Sequence, residues 1–354
     1  TIALPFLSAS TVKALRVKVA VDFNHYHTYP EIEQILSEFE HDYSNLVKLY
    51  EIGNTFEGRS LYALEITNHD LGSPESKPAM LFVGPHHGNE IIGAEIALYY
   101  AWYLLSNYPS DSRVKAIVDT RTIYIIPTVN PDGHELTLST DVYGRTNNRP
   151  MDEDGDGLLD EDPPEDINGD GKITDMRLWD PTQHKWIYFW WCGEGIDNDG
   201  DGLINEDWIG GVDLNRNYDY HWVPYPWHGE HPFSEPETAA VRDFVMSHPN
   251  IATGFDTHSG TELLLYPWGD TLKHSPDSET YKYLGRIYGE MTGYRDIQSA
   301  LLYPVYGGAE DWMYGNQGII YFTNEVFGPK WQWGWGAWNN WPMEYPDAEK
   351  PWID

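Results

Sequence analysis

The residues whose types and spacing best suit chemistry are His87 and Glu90, three apart in Pro85-His86-His87-Gly88-Asn89-Glu90. An imidazole nitrogen and a carboxylate on one tight turn can converge on a single cation. With a third protein ligand from elsewhere they leave a fourth position for water, the arrangement of a catalytic zinc. A His-x-x-Glu pair alone is better explained by a histidine that satisfies a loop carbonyl, so the reading depends on what the rest of the chain supplies.

A second chemistry-bearing stretch runs from 151 to 207, where 18 Asp and Glu stand against three Lys and Arg. Such charge must be neutralised or left solvated. The pattern repeats as Asp152-x-Asp154-x-Asp156-Gly157, Asp166-x-Asn168-x-Asp170-Gly171 and Asp197-x-Asp199-x-Asp201-Gly202. Oxygen ligands at positions one, three and five followed by Gly at six reproduce the first half of an EF-hand calcium loop. Leu158, Lys172 and Leu203 would offer backbone carbonyls at position seven. Position twelve is Pro163, Arg177 or Trp208 instead of a bidentate Glu, and carboxylates come early, at Glu161 and Asp162, at Asp175, and at Glu206 and Asp207. The expectation is about three structural calcium ions on short loops without flanking EF helices, against the plainer alternative of a solvated acidic segment.

The elements around these residues must bring them together. Ala79 to Val83 is a short apolar run before the His87 turn, and Ile91 to Leu105 follows with helical character, which reads as strand, loop, helix. Ligands in open α/β sheets bind at the carboxyl ends of strands. Upstream, a helix from Tyr29-Pro30 precedes Leu46 to Ile52 and Leu61 to Thr67, an antiparallel pair, and Thr122 to Val129 forms a buried strand ending in the turn residues Asn130-Pro131-Asp132-Gly133. After the acidic stretch, Pro236 to Ser247 and Ser278 to Gly293 read as helices, and Ile251 to Thr257, Glu262 to Trp268 and Ile319 to Thr323 as strands. His87, His258 and Glu325 then each stand at a strand end. The predicted fold is α/β: a mixed parallel/antiparallel twisted sheet flanked by helices on both faces.

Composition narrows the function. The 354 residues carry 56 acidic against 22 basic side chains, a net charge of −34, which argues against nucleic acid or anionic membranes as partners. No apolar run is long enough to span a bilayer. Cys192 is the single cysteine, so no intrachain disulfide forms, and no signal peptide is visible at Thr1, as expected of a mature secreted or periplasmic protein.

Taken in order, His87-Gly88-Asn89-Glu90, Asn130-Pro131-Asp132-Gly133, Gly211-Val212-Asp213-Leu214-Asn215-Arg216-Asn217, Thr257-His258-Ser259, Leu263-Leu264-Leu265-Tyr266-Pro267, Gly307-Gly308-Ala309-Glu310-Asp311-Trp312 and Phe322-Thr323-Asn324-Glu325 closely resemble the zinc carboxypeptidase family, the carboxypeptidase A type of metallopeptidase, from about Tyr26 to Phe327. The resemblance implies one zinc held by His87, Glu90 and His258, with Glu325 as the catalytic base. It implies Arg145 as the residue that stabilises the oxyanion, with Arg149 competing for that role, and Asn215 with Arg216 as the clamp for a free carboxylate. Tyr303 matches the mobile tyrosine that closes over substrate. Glu310 and Asp256 fall in the family's specificity pocket, implying acceptance of basic as well as apolar carboxyl-terminal residues unless Glu310 turns aside to cap the helix near Asp311. The partners are then peptides or proteins with a free carboxyl terminus, cut by a monomer.

Three departures stand out. Asn89 replaces the Arg that many relatives carry before the ligand Glu, Gly260 replaces a Tyr, and a Trp-rich tail from Trp331 to Trp352 takes the place of the final helix. The expected organisation is one catalytic domain over 1–354, with an insert at 151–207 and a tail at 328–354. Two other readings remain: a calcium-dependent binding protein on an inactive peptidase scaffold, and a same-fold amidohydrolase acting on acylated amino acids or cell-wall peptides.

Overall fold

A computed structural model describes residues 19–140, 144–152, 155–169, 173, 176–189, 193–205, 207 and 209–327. Asp154, Asp170, Lys172, Asp175, Glu206, Cys192 and the Trp-rich tail lie outside the described residues. Helix α1 (Tyr29–Asp42) opens on Thr28, whose N–H donates to Glu31 at 2.8 Å. Acidic Glu31 also suits the positive end of the helix. It buries Ile32, Leu36 and Phe39, spaced at the helical period, each contributing about 2 kcal/mol through removal from water. Strands β1 (Val47–Asn54) and β2 (Ser60–Ile66) form the expected antiparallel pair, followed by β3 (Ala79–Val83), α2 (Ile92–Asn107), α3 (Ser112–Thr120), β4 (Thr122–Ile126) and α4 (Pro131–Ser139).

The acidic insert contains an antiparallel hairpin, β5 (Met176–Asp180) with β6 (Lys185–Phe189), which the sequence reading did not anticipate. Then come α5 (Pro236–Ser247), β7 (Ile251–Ser259), β8 (Leu263–Tyr266), α6 (Ser278–Thr292), β9 (Arg295–Gln298), α7 (Ala309–Gly315) and β10 (Ile320–Val326).

Eight strands make one sheet in the order β1-β2-β4-β3-β7-β10-β8-β9. The core β4-β3-β7-β10 is parallel, with antiparallel joins at β1-β2, β2-β4 and β10-β8 and a parallel β8-β9 edge, so the sheet is mixed. Side-chain alternation sends Leu64, Phe82 and Ile125 to one face, against α1, α2 and α3. It sends Leu81, Val83, Tyr124 and Ile126 to the other, against Val241 and Phe244 of α5 and Trp312 and Met313 of α7. Both faces are therefore covered, which is why the central strands are apolar throughout and not alternating with polar residues.

His258 and Glu325 stand at strand ends as expected, each one residue short of the last, because β7 and β10 stay paired through Ser259 and Val326, with Glu325 opposite His258. One expectation needs correction. Asn130-Pro131-Asp132-Gly133 is not merely a turn: the Asn130 side chain accepts from the Gly133 N–H at 2.9 Å and Pro131 opens α4.

Candidate metal centre and substrate cleft

Sheet register brings the ligands together. Val83 pairs with Asp256, so the chain leaving β3 reaches His87 beside His258, two residues further along β7. The turn can pass close to α4 because both contacts are glycines. A Cβ on Gly88 would stand 2.2 Å from the Gly133 carbonyl carbon.

His87 Nδ1 lies 2.7 Å from Glu90 Oε1, His258 Nδ1 lies 2.8 Å from Glu90 Oε2, and the two Nδ1 atoms are 3.1 Å apart. All three residues are buried. Two imidazole nitrogens and a carboxylate this close together could hold one metal ion, and His258 stands where a third ligand beside His87 and Glu90 would be needed. Burial alone would raise the Glu90 pKa, but His87 and His258 hold it well below the usual carboxylate range. His258 is held above the ordinary imidazole range against its burial by Glu90 and Asp256. Both shifts describe groups that attract a cation or one another.

Behind His87 stands Asp213, with Oδ1 3.1 Å from His87 Nε2. That contact favours a proton on Nε2 and leaves Nδ1 as the donor to metal. The other oxygen, Oδ2, accepts from Arg145 Nη2 at 2.9 Å and Nε at 3.2 Å. Burial would raise Asp213, yet Arg145 and His87 keep it well below the usual range. The sequence reading carried Asp213 within the Gly211–Asn217 stretch but gave it no role. The signal available was its place two residues before Asn215-Arg216, together with the habit of metal-bound histidines of leaning on carboxylates.

The structure separates the two arginines. Arg145 Nη1 reaches within 3.9 Å of Glu90, at the edge of the metal centre. Its backbone is fixed there: its carbonyl accepts from Gly88 N and Asn130 Nδ2. Arg149 turns away to Glu235, 2.8 Å from Oε2, and stacks over Phe56 at 4.8 Å.

A cleft with about 460 Å³ of space, part of it open to solvent, is lined by His87, His258, Glu325, Arg216, Tyr303 and Glu310 among others. Asn215 joins the parts: Oδ1 accepts from Ala309 N at 2.9 Å, and Nδ2 lies 3.3 Å from His258 Nε2. Arg216 donates to the Asn215 carbonyl at 2.8 Å. Tyr303 is 37% exposed, in the range expected of a side chain able to move over the opening. Burial and the neighbouring Glu90 push the Glu325 carboxyl up to about 8. A dication on Glu90 would oppose the second of these effects.

Glu310 is buried at the cleft wall, in the first turn of α7, and does not cap it; the carboxylate that accepts backbone N–H groups is Asp311, from Gly269 at 3.0 Å. Burial, then Asp311 and Asp256, push the Glu310 carboxyl well above the usual range. Asp256, expected on the same wall, lies one layer deeper: it is fully buried, and the cleft lining includes Glu310 but not Asp256.

In the insert, the first and third acidic loops adopt the same turn. Gly155 and Gly157 donate to Asp152 at 2.6 and 3.1 Å, as Gly200 and Gly202 do to Asp197. Leu158 and Leu203 donate likewise to Asp156 and Asp201, at 2.6 Å each. In the second loop Gly169 donates to Asp166 at 2.7 Å, and Asn168 reaches Glu194. The first and third loops meet. Asp156, Glu161 and Asp199 bring carboxylate oxygens together, as do Asp197, Asp199 and Asp201, so Asp199 is common to both groups. Asp162 is buried between the loops and accepts from Asn198 N and Asn205 N at 3.2 and 2.9 Å; it fastens them to each other, and Asp207 is buried nearby.

With this geometry in place, comparison with known proteins is decisive for the family: the zinc carboxypeptidase family profile matches residues 32–331. The chain belongs to the zinc carboxypeptidase family. Among curated relatives, it is 28% identical over 317 residues to mouse carboxypeptidase A4, covering 86% of this chain and 64% of that protein. It is 26% identical over 357 residues to mouse carboxypeptidase D, covering 92% of this chain and 21% of that protein. The chain thus spans less than two thirds of either relative. In fold it is similar to thrombin activatable fibrinolysis inhibitor, with a TM-score of 0.65 at 22% identity over 86% of this chain and 66% of that one. It is also similar to carboxypeptidase A from Helicoverpa armigera, with a TM-score of 0.64 at 23% identity over 89% and 68%. Both share its mixed sheet. Membership of the family implies a catalytic zinc, and among the described residues no helix is long and apolar enough to cross a membrane.

Proposed function

We propose that this protein is a zinc-dependent metallocarboxypeptidase that removes carboxyl-terminal residues from peptides. The observation that carries the reading is the convergence of His87, Glu90 and His258, two of which line a cleft together with Arg216 and Glu310. His87, Glu90 and His258 would hold the zinc, which when bound would supply Lewis acidity toward the scissile carbonyl and a water. Glu325, which lines the same cleft, takes the water's proton and returns it to the leaving amine. Arg145, anchored on Asp213, presents positive charge where the carbonyl oxygen becomes negative. Arg216, with Asn215, binds the terminal carboxylate through its planar fork and so limits cleavage to the chain end. Tyr303 covers the bound end, and Glu310 reads the last side chain, admitting basic residues beside apolar ones.

The acidic loops are assigned to structural calcium, with Asp199 shared between the first and third. Burial and the neighbouring Asp207 and Asp156 push the Glu161 carboxyl up to about 7, a crowding that a divalent cation would relieve. Calcium is millimolar outside the cell, which fits a secreted or periplasmic enzyme that cannot form an intrachain disulfide.

The test is a mixed peptide library. Residues should leave only from free carboxyl ends, chelation should stop the reaction, and Glu325→Gln should retain zinc while losing turnover by about 10²-fold or more. Cleavage of amidated peptides at equal rate would refute the exopeptidase assignment. Full zinc binding without hydrolysis of any peptide would favour the inactive-scaffold reading instead.

A further inference from the structure

Asp256 is fully buried, and neither of its carboxylate oxygens has a hydrogen-bond partner among the described residues. A buried carboxylate in that condition is costly and needs a reason. Its surroundings supply one. Oδ2 lies 3.7 Å from Nε2 of His258 and 3.6 Å from Nδ1 of His86, so two imidazoles face one carboxylate. The rings of His86 and His258 are parallel, 5.6 Å apart at an interplanar angle of 5°. His86 is fixed from its far side, where Nε2 lies 2.9 Å from the Tyr218 hydroxyl, and Tyr218 is itself fully buried. Tyr218, His86 and Asp256 thus form a supported row ending on His258.

We infer that Asp256 is a positioning residue for the metal ligand His258, the counterpart of Asp213 behind His87, and that it does not select substrate. The parallel follows from the donor atoms. Both histidines turn Nδ1 toward Glu90 and Nε2 toward a buried aspartate, Asp213 at 3.1 Å and Asp256 at 3.7 Å. A carboxylate behind Nε2 keeps the proton on that nitrogen, frees the Nδ1 lone pair and makes it more basic. The 3.7 Å contact is an ion-pair distance and too short to admit a bridging water, so the influence is direct and electrostatic. Asn215 lies on the other side, its Nδ2 3.3 Å from the same Nε2; an amide NH2 cannot accept the Nε2 proton, so Asp256 is the acceptor that faces it. The fixed orientation also explains why Asp256 is off the cleft wall while Glu310, which it faces from behind, is on it.

This inference rests on reading the trio as a zinc centre, and the experiment keeps the two apart by measuring zinc binding directly. The full chain, held in excess calcium, is titrated with zinc against a competing chelator. Wild type should bind one zinc at the centre; failure there would overturn the zinc reading itself. Asp256→Asn preserves shape and removes charge. It should weaken zinc about 10- to 100-fold, the range found for such partners. Saturating zinc should then restore kcat to within several-fold, with the ratio of kcat/KM for peptides ending in Arg and in Leu unchanged. Tyr218→Phe, which removes only the hydroxyl that steadies His86, should weaken zinc several-fold and keeps the test available if Asp256→Asn does not fold. Unchanged zinc affinity in these variants would overturn the positioning role, as would a tenfold change in the Arg/Leu ratio that zinc does not rescue. Loss of a second zinc equivalent would overturn it too, because His86, Asp256 and His258 would then be a metal site in their own right.

Discussion

Arg145 and Arg149 are four residues apart, and the mechanism predicts that their removal fails in different ways. Arg145 is anchored by two contacts to Asp213 and reaches 3.9 Å from Glu90. Deleting one preorganised donor to a developing oxyanion costs about 2.7–4 kcal/mol, or roughly 10²–10³ in kcat. Asp213 keeps its contact with His87, so Arg145→Ala should still fold and bind zinc. Arg149→Ala removes a partner from Glu235, which is 1% exposed and would retain Asn147 and Ser234 as donors. A fully buried pair broken this way costs about 3–5 kcal/mol; because Arg149 is 33% exposed, about 2 kcal/mol is the better figure. The assay pairs kcat/KM on a short peptide, at equal zinc content, with thermal unfolding. Both variants should lower Tm, since each leaves a buried carboxylate without its guanidinium, but only Arg145→Ala should lose turnover, with Arg149→Ala keeping kcat/KM within a few-fold. A kcat/KM for Arg145→Ala within a few-fold of wild type would refute the assignment of the oxyanion role to Arg145.

Three further outcomes follow from the same geometry. Glu310→Ile should lower kcat/KM on Arg-ending peptides by tenfold or more relative to Leu-ending ones, and a wild type that prefers Leu tenfold with the ratio unmoved by the substitution would show that Glu310 does not read the substrate. A calcium-selective chelator, with zinc added back, should lower Tm, since the first and third loops would be left with mutually repelling carboxylates; an unchanged Tm would count against calcium as a staple. Glu237 is fully buried, accepts from Phe56 N at 2.7 Å, and has its carboxyl pushed by burial from 4.5 up to about 7. The folded state therefore holds the extra proton between these values, and stability should fall as pH rises through that window and stay reduced above it. Glu237→Gln should flatten the slope, gaining up to about 3 kcal/mol over wild type at about pH 8 and little at about pH 4 by chemical denaturation.

The readable part of this fold was the part in which one physical signal dominates. Pro236–Ser247 and the β1-β2 pair were legible because apolar spacing and turn residues agree, and the central strands because both faces are covered. α4 was not, since Asn130-Pro131-Asp132-Gly133 carries identical residues whether it closes a turn or caps a helix; only the chain beyond decides. The insert hairpin was hidden by the charge around it. At the site, the residues able to hold a metal stood out by type, and Arg145 was preferred to Arg149 by spacing alone. That distinction rests on which of two buried carboxylates, Asp213 or Glu235, each guanidinium meets. Asp256 was misplaced for a related reason: alternation puts it on the His258 face of β7, and how deep that face lies depends on neighbouring strands.

The burial of Glu310 also bears on how the proposed pocket could accept two kinds of side chain. Asp256, Glu310 and Asp311 interact within one buried region, where like charges oppose one another. Against its burial, His258 and His86 hold Asp256 below the usual range. Burial and Asp270 push Asp311 up to about 7, and burial first of all pushes Glu310 well above the ordinary range. A carboxyl so disposed toward its protonated form costs little to leave beside a Leu side chain. A guanidinium or ammonium entering the same space would reverse the balance, because the opposite charge favours ionisation and gains a charge-assisted hydrogen bond in return. An acidic side chain has no such route, since it would add a like charge beside Glu310. The proposed dual acceptance, with rejection of acidic residues, would then rest on Glu310, which lines the cleft, and not on Asp256, which faces His258.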